Sequence, residues 1–296
     1  MLAIFGSLSA SAYEGRVHQQ LTFIAARQFN NCAHENPQLD RFSALDTRHI
    51  VRANVAQAEA SVFARMFRWN YYNRKDQTNR TSLGVIDTRF HTHFETLVDD
   101  TRWSGDRQKR LRNLGRIINY IQNVTSPSRV VPVYSSRWWR FSVGDRFDRR
   151  RVHSALVEEA VEDICEEVVT IDASFQDVLA DTANQTIRAV RAPIFGFPTT
   201  WEAYWQFAER EEDFGEYGPA GNTFGERTEF RCGTERCLLL KDDPLYNDFA
   251  AARHISAVIA TMRAMAIMQF AERERADDVG RTTAETGSSR SDLASQ

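Results

Sequence analysis

Several features of well-known functional classes are missing from this sequence. No uninterrupted apolar run approaches the ~18 residues that a membrane-spanning helix needs. The net charge of -3 shows none of the basic bias expected of a chain drawn as a whole to nucleic acid or an anionic membrane. The glycine-punctuated stretch FGEYGPAGNTFG (214–225) is followed by no GK[ST], which excludes a phosphate-binding P-loop and leaves turns. There are four cysteines, and no Cys/His spacing that would hold a structural zinc. Internal repeats are absent and strand signals few. What the chain does have is 42% hydrophobic and 26% charged residues, enough for a sizeable core under a solvated surface.

Helical periodicity dominates the rest. Leu21, Ile24, Ala25 and Phe29 set an amphipathic helix over 18–30, and another starts near Thr47. Phe90, Phe94, Leu97 and Val98 share one face of a helix over 86–101, where His91 and His93, two apart, point in different directions and read as surface or helix-end histidines. Further helices are expected over 106–123, over 150–171, from an N-cap at Asp172 to about Val190, from a cap at Thr200 through Trp201, Trp205 and Phe207, and from about Asn247 to Ala271. A short β-hairpin fits 228–241. The expected architecture is all-α, one multi-helix domain over 13–271 with a small hairpin near its C-terminal end, followed by a polar, disordered tail over 272–296.

Residues 1–12 read as a truncated signal peptide: Met1–Leu8 is apolar and Ala10-Ser11-Ala12 fits a cleavage site, although the positively charged start is missing. A buried N-terminal helix is the alternative. Cys232 and Cys237 enclose a loop short enough to bridge, while Cys32 and Cys165 either pair or remain free core thiols.

The organising stretch is RNLGRIINYIQNVTSPSRVVPV (112–133). Leu114, Ile118 and Ile121 make a buried stripe; Asn119 and Asn123 share another face. Pro127 is expected to end the helix, leaving Arg129 just past the turn, within reach of both asparagines. The basic first half (Arg107, Lys109, Arg110, Arg112, Arg116) reads as a solvated face, with nucleic-acid contact the lesser alternative.

This stretch resembles the zinc-dependent phospholipase C / S1-P1 nuclease superfamily, in which the same place reads roughly LGxxxHYxxDxxxPxH. Leu114, Gly115, Tyr120 and Pro127 keep that frame; Asn119, Asn123 and Arg129 stand where the resemblance implies two His and one Asp as metal ligands. Other segments follow the same order over residues 13–150. In YEGRVH, Tyr13 and His18 take the places of the mature N-terminal aromatic residue and of the His five positions later. In ANVAQAE, Ala58 takes a ligand Asp position; in RWNYYNR, Asn70 takes a ligand His position; and Gly144 and Asp148 take a His and an acid four apart.

The resemblance implies a cluster of zinc ions that activates water and neutralises a phosphodiester's developing charge. Asn amides are poor zinc ligands, and a guanidinium repels a dication. Only His18, Asp148 and the Tyr13 main chain remain as donors, and an Arg129–Asp148 ion pair could stand in for a metal. The expected protein is therefore a periplasmic or secreted pseudoenzyme without a cofactor, binding an unknown ligand or protein in the vestigial cleft. Arg137, Trp138, Trp139 and Arg140 either present a stacking surface for a sugar, base or lipid headgroup or plug that cleft. The alternative is an active phosphodiester hydrolase, on phospholipid or nucleic acid. It would use a remodelled site: zinc at His18 and Asp148 or rebuilt from His34, His49, His153 and His254, or Ca²⁺ on Asn oxygens and Asp148. A structural periplasmic protein whose Trp/Arg loop meets lipid is a third reading.

Overall fold

A computed structural model describes residues 13–59, 71–72, 74, 89–133, 144–169, 173–211 and 213–293, with the side chains of the last helix described as far as Ala276. Within these residues the chain is mostly helical, with one two-stranded antiparallel sheet. In order, the helices are α1 Gly15–Glu35, α2 Ala44–Ala58, α3 Arg89–Trp103, α4 Arg107–Asn123, α5 Pro127–Val130, α6 Ser154–Ala160, α7 Cys165–Val169, α8 Phe175–Arg191 and α9 Pro244–Leu293. Strands β1 (Thr228–Cys232) and β2 (Glu235–Leu239) form the expected hairpin, closed by the Cys232–Cys237 disulfide.

Helix starts follow local chemistry. Ser43 and Asp46 exchange side chain to backbone bonds in a capping box at α2, and Ser174 and Asp177 do the same at α8. Asp106 accepts from the Gln108 N–H to cap α4. The α8 cap is thus Ser174; Asp172 lies outside the described residues.

The most extensive helix pairing is α2 against α4, with α1 packed on α2 and α9, and α3 on α4. Gly115 sets the closeness of the α2–α4 crossing. A Cβ there would sit 2.2 Å from the Ile50 carbonyl oxygen and 2.9 Å from the Ala53 Cβ. Cys32 on α1 is bonded to Cys165 at the start of α7.

The structure corrects five expectations. The helix over 150–171 is two, α6 and α7, because the chain turns at 161–163 and Cys165 is tied to α1. The helix through Trp201 and Trp205 is a single 3-10 turn, Trp201–Ala203, capped by Thr200. Beyond it, Gln206 exchanges backbone bonds with Glu216, which pulls the chain out of helical geometry. Pro127 does not end α4: three turn residues intervene, and Pro127 opens α5, where its missing N–H leaves no donor wanting. His91 sits in the first turn of α3, as the helix-end reading has it, but it is buried, its ring packed against Tyr72 and Phe90, and so is not a surface histidine.

The fifth correction concerns the tail. α9 continues as helix to Leu293, through the stretch expected to be disordered. Its docking passes residue 271, because Glu272 pairs with Arg110 at 2.8 Å, and Arg275 donates to the carbonyls of Thr101 (3.1 Å) and Arg102 (2.6 Å). Pro244–Ala276 is, by length and composition, apolar enough to cross a membrane, but 67% of its most apolar window is buried inside the protein.

Gly115→Ala is expected to force α2 and α4 apart and to lower the unfolding free energy by about 1–3 kcal/mol, the usual range for overpacking. Denaturant titration should show a lower midpoint at unchanged slope.

Candidate functional site, a buried carboxamide cluster

Three helices deliver polar side chains to one interior point. α1 brings His18 and Thr22, one turn apart; α2 brings Asn54; α4 brings Asn119, Gln122 and Asn123. All six are buried. Each comes from the inward face of an amphipathic helix, so burial of the neighbouring apolar residues carries these groups inside with it.

The bonds run almost without a gap. The Asn119 amide donates to the Asn54 side-chain oxygen (2.9 Å) and main-chain oxygen (3.2 Å), and its own oxygen accepts from Asn123 at 2.9 Å. The Asn54 amide donates to Thr22 (2.8 Å) and to the Gln122 oxygen (3.0 Å). Gln122 in turn donates to Thr22 and to Thr261 of α9, both at 3.1 Å. His18 Nδ1 meets the Gln122 oxygen at 2.7 Å. That oxygen only accepts, so Nδ1 carries the proton and Nε2 its lone pair, 3.4 Å from the Asn119 amide nitrogen. Burial lowers the His18 pKa to about 4, so the ring is neutral at physiological pH.

A second group adjoins the first. The Tyr13 ring packs edge-on against His18, and its hydroxyl meets Thr125 at 3.0 Å. The Asp148 carbonyl accepts from the Glu14 N–H at 3.2 Å, and its carboxyl accepts from the Ser126 hydroxyl at 2.6 Å. Asp145 is buried as well, held by Trp205 (2.7 Å), Tyr217 (3.1 Å) and the Phe147 N–H (2.8 Å). Burial raises both carboxyl pKa values, Asp148 to about 8, with the neighbouring Asp145 adding to the effect. Arg129 opposes the rise for both.

The structure thus brings together Tyr13, His18, Asn119, Asn123, Arg129 and Asp148. Arg129 and Asp148 do not form the expected ion pair: the guanidinium lies 5.0 Å over the Tyr71 ring, and Asp148 takes the Ser126 hydroxyl instead. Ala58 is buried one turn beyond Asn54 on the same face of α2, and Gly144 is buried beside Asp145. Asn70, Arg137, Trp138, Trp139 and Arg140 lie outside the described residues, as do residues 1–12. The other histidines do not gather. His34 is exposed beside Arg41, and His49 meets Gln108 on the surface. His153 is exposed at the start of α6, and His254 is buried against Tyr13 and Phe147.

Sequence reasoning missed Asn54, Gln122, Thr22, Thr261 and Asp145. The periodicity held a signal for three of them: Asn54 is one turn before Ala58, Thr22 one turn after His18, and Gln122 three residues after Asn119. Thr261 and Asp145 need the tertiary fold.

These residues do not fit a zinc cluster. Two buried oxygens, Asn123 Oδ1 and Asp148 Oδ2, have no hydrogen-bond partner among the described residues. Yet one of them is an amide oxygen and the other belongs to a carboxyl that keeps its proton to about pH 8, with Arg129 acting on it electrostatically. Zinc needs deprotonated donors and charge compensation. Among the described residues, no group of three or more His, Cys, Asp or Glu could hold a metal ion.

Comparison with protein-family models, with curated proteins and with solved structures gives no match.

Two outcomes follow. Asn119→Ala leaves Asn54 Oδ1 without its donor, and a loss of about 1–3 kcal/mol is expected on denaturation. The pH dependence of stability should carry two opposed contributions. Below about 6.5, the unfolded pKa of His, the unfolded chain takes up protons that buried His18 and His254 refuse until about pH 4 and 3, so their contribution to stability falls with acid. As pH rises above the ordinary carboxyl range the folded chain still holds the Asp148 proton that the unfolded chain has released, so that contribution falls until about pH 8, and buried Asp145 acts in the same direction. Melting curves of Asp148→Asn should show a smaller alkaline decline and keep the acidic one.

Proposed function

We propose that this chain is a binding protein on a helical scaffold of the phospholipase C / P1 nuclease type, and that it does not hydrolyse phosphodiesters. The observation that carries this reading is the Asn119 bridge. A ligand position of the resembled family is filled by an amide whose hydrogens and oxygen are engaged with Asn54 and Asn123. Groups bonded to one another in this way hold the helices together and leave a dication no charged donors to replace its water. The scaffold assignment rests on order and spacing over 13–150, and scaffold carries over between proteins far better than activity.

Export fits the same reading. Both cysteine pairs are bonded, as is usual in an oxidising compartment. The natural occupant is a ligand or protein partner that meets the rim of the old cleft, since the cleft's interior is filled by the cluster itself. Active hydrolysis at a remodelled site is the second reading, favoured by the orphaned oxygens of Asn123 and Asp148.

Purified chain assayed on phosphatidylcholine and on single-stranded nucleic acid, with and without added zinc, is expected to show no turnover above buffer. Zinc-dependent cleavage that is lost in Asp148→Asn would establish the second reading in its place.

A further inference from the structure

The basic run on α4 does not act as one face. Arg107 is bound to Asp46 (2.6 Å) and Arg110 to Glu272 (2.8 Å), and Lys109 lies 3.9 Å from Asp100. The charges of Arg107 and Arg110 are answered within the protein, while the Lys109 contact is exposed and weak. Arg112 and Arg116, one turn apart, point elsewhere, into a groove between α4 and α2 of about 310 Å³.

Across that groove α2 presents His49, Arg52, Ala53 and Ala56, which recur at helical spacing on the face turned away from buried Asn54. The two alanines give a shallow floor, and close helix approach at Gly115 lets both walls reach one occupant. Arg52 and Arg116 are exposed, and Arg112 half-buried. Among the described residues no carboxylate lines the groove. The nearest acid contact is Asp106 with Arg112 at 3.8 Å, an exposed pair of little strength.

We infer that this groove binds a compact phosphate-type oxyanion, inorganic phosphate or a phosphomonoester group. Three guanidinium groups on facing helices offer forked donors that suit a tetrahedral dianion. An extended polyanion would need a continuous basic stripe, and the acid partners of Arg107 and Arg110 break that stripe. The site is separate from the interior cluster and holds whatever that cluster does.

The test titrates the full chain with inorganic phosphate at constant ionic strength, followed by calorimetry. A parallel arm measures sedimentation with phosphatidylcholine vesicles carrying either phosphatidic acid, a phosphomonoester, or phosphatidylserine, a diester. Saturable binding is expected in the phosphate arm, or on phosphatidic acid vesicles alone if the source is lipid. Arg52→Gln with Arg116→Gln should weaken it by about tenfold or more, the size of a lost charge-assisted bond. Each single change should give part of that loss, and Arg48→Gln, exposed on α2 but outside the groove, should leave binding intact. Three results would overturn the assignment: no saturable binding in either arm, equal binding to both vesicle types with none to phosphate, or binding undiminished in the folded double variant.

Discussion

The amide bridge from Asn54 through Asn119 to Asn123 is the constraint on which the interior depends. A buried carboxamide without partners is destabilising, because it gives up water and gains nothing. Three of them in a row are tolerable only if each satisfies the next, and that requires α2 and α4 to cross at one distance and one register. Gly115 supplies the distance. His18, Thr22 and Gln122 close the network toward α1, and Thr261 closes it toward α9. Four helices are thereby tied at a point that apolar packing alone would leave free to slide.

The carboxyl pair shows the same economy of charge. Asp145 and Asp148 are both deep in the protein, and the only strong compensation would be a cation in contact. Arg129 acts on both from a position over Tyr71 without touching Asp148. A proton on Asp148 is the simplest way to keep this region near neutrality. It also explains why the site presents a hydrogen-bonded acid, not an ionised ligand. Charge without a close partner lies outside this region, at the groove that Arg52, Arg112 and Arg116 line.

Much of this was legible in the sequence, for reasons that can be given residue by residue. The stripe Leu114, Ile118, Ile121 showed one buried side of α4, and the four-residue spacing of Asn119 and Asn123 placed both on another face, which the structure shows to be buried too. The hairpin followed from two cysteines around a short loop. Asn54 carries no mark of its own in the sequence because the resembled motif points to Ala58, one turn further on the same face. The pairing of Cys32 with Cys165, the break at 161–163 and the docking of Arg275 depend on contacts between segments far apart in sequence. Periodicity carries no record of those. Arg129 was placed near the right groups, but its preference for an aromatic face over a carboxylate could not be read from spacing.

If the interior is held by amides bonded to one another, folding owes nothing to a metal. The direct measurement is the denaturation midpoint of the native chain, purified without added metal, before and after exhaustive treatment with a strong chelator. The midpoint is expected to be unchanged, because a ligand contributes to stability only when it binds the folded state. A midpoint that drops on chelation and returns on adding zinc would contradict the account.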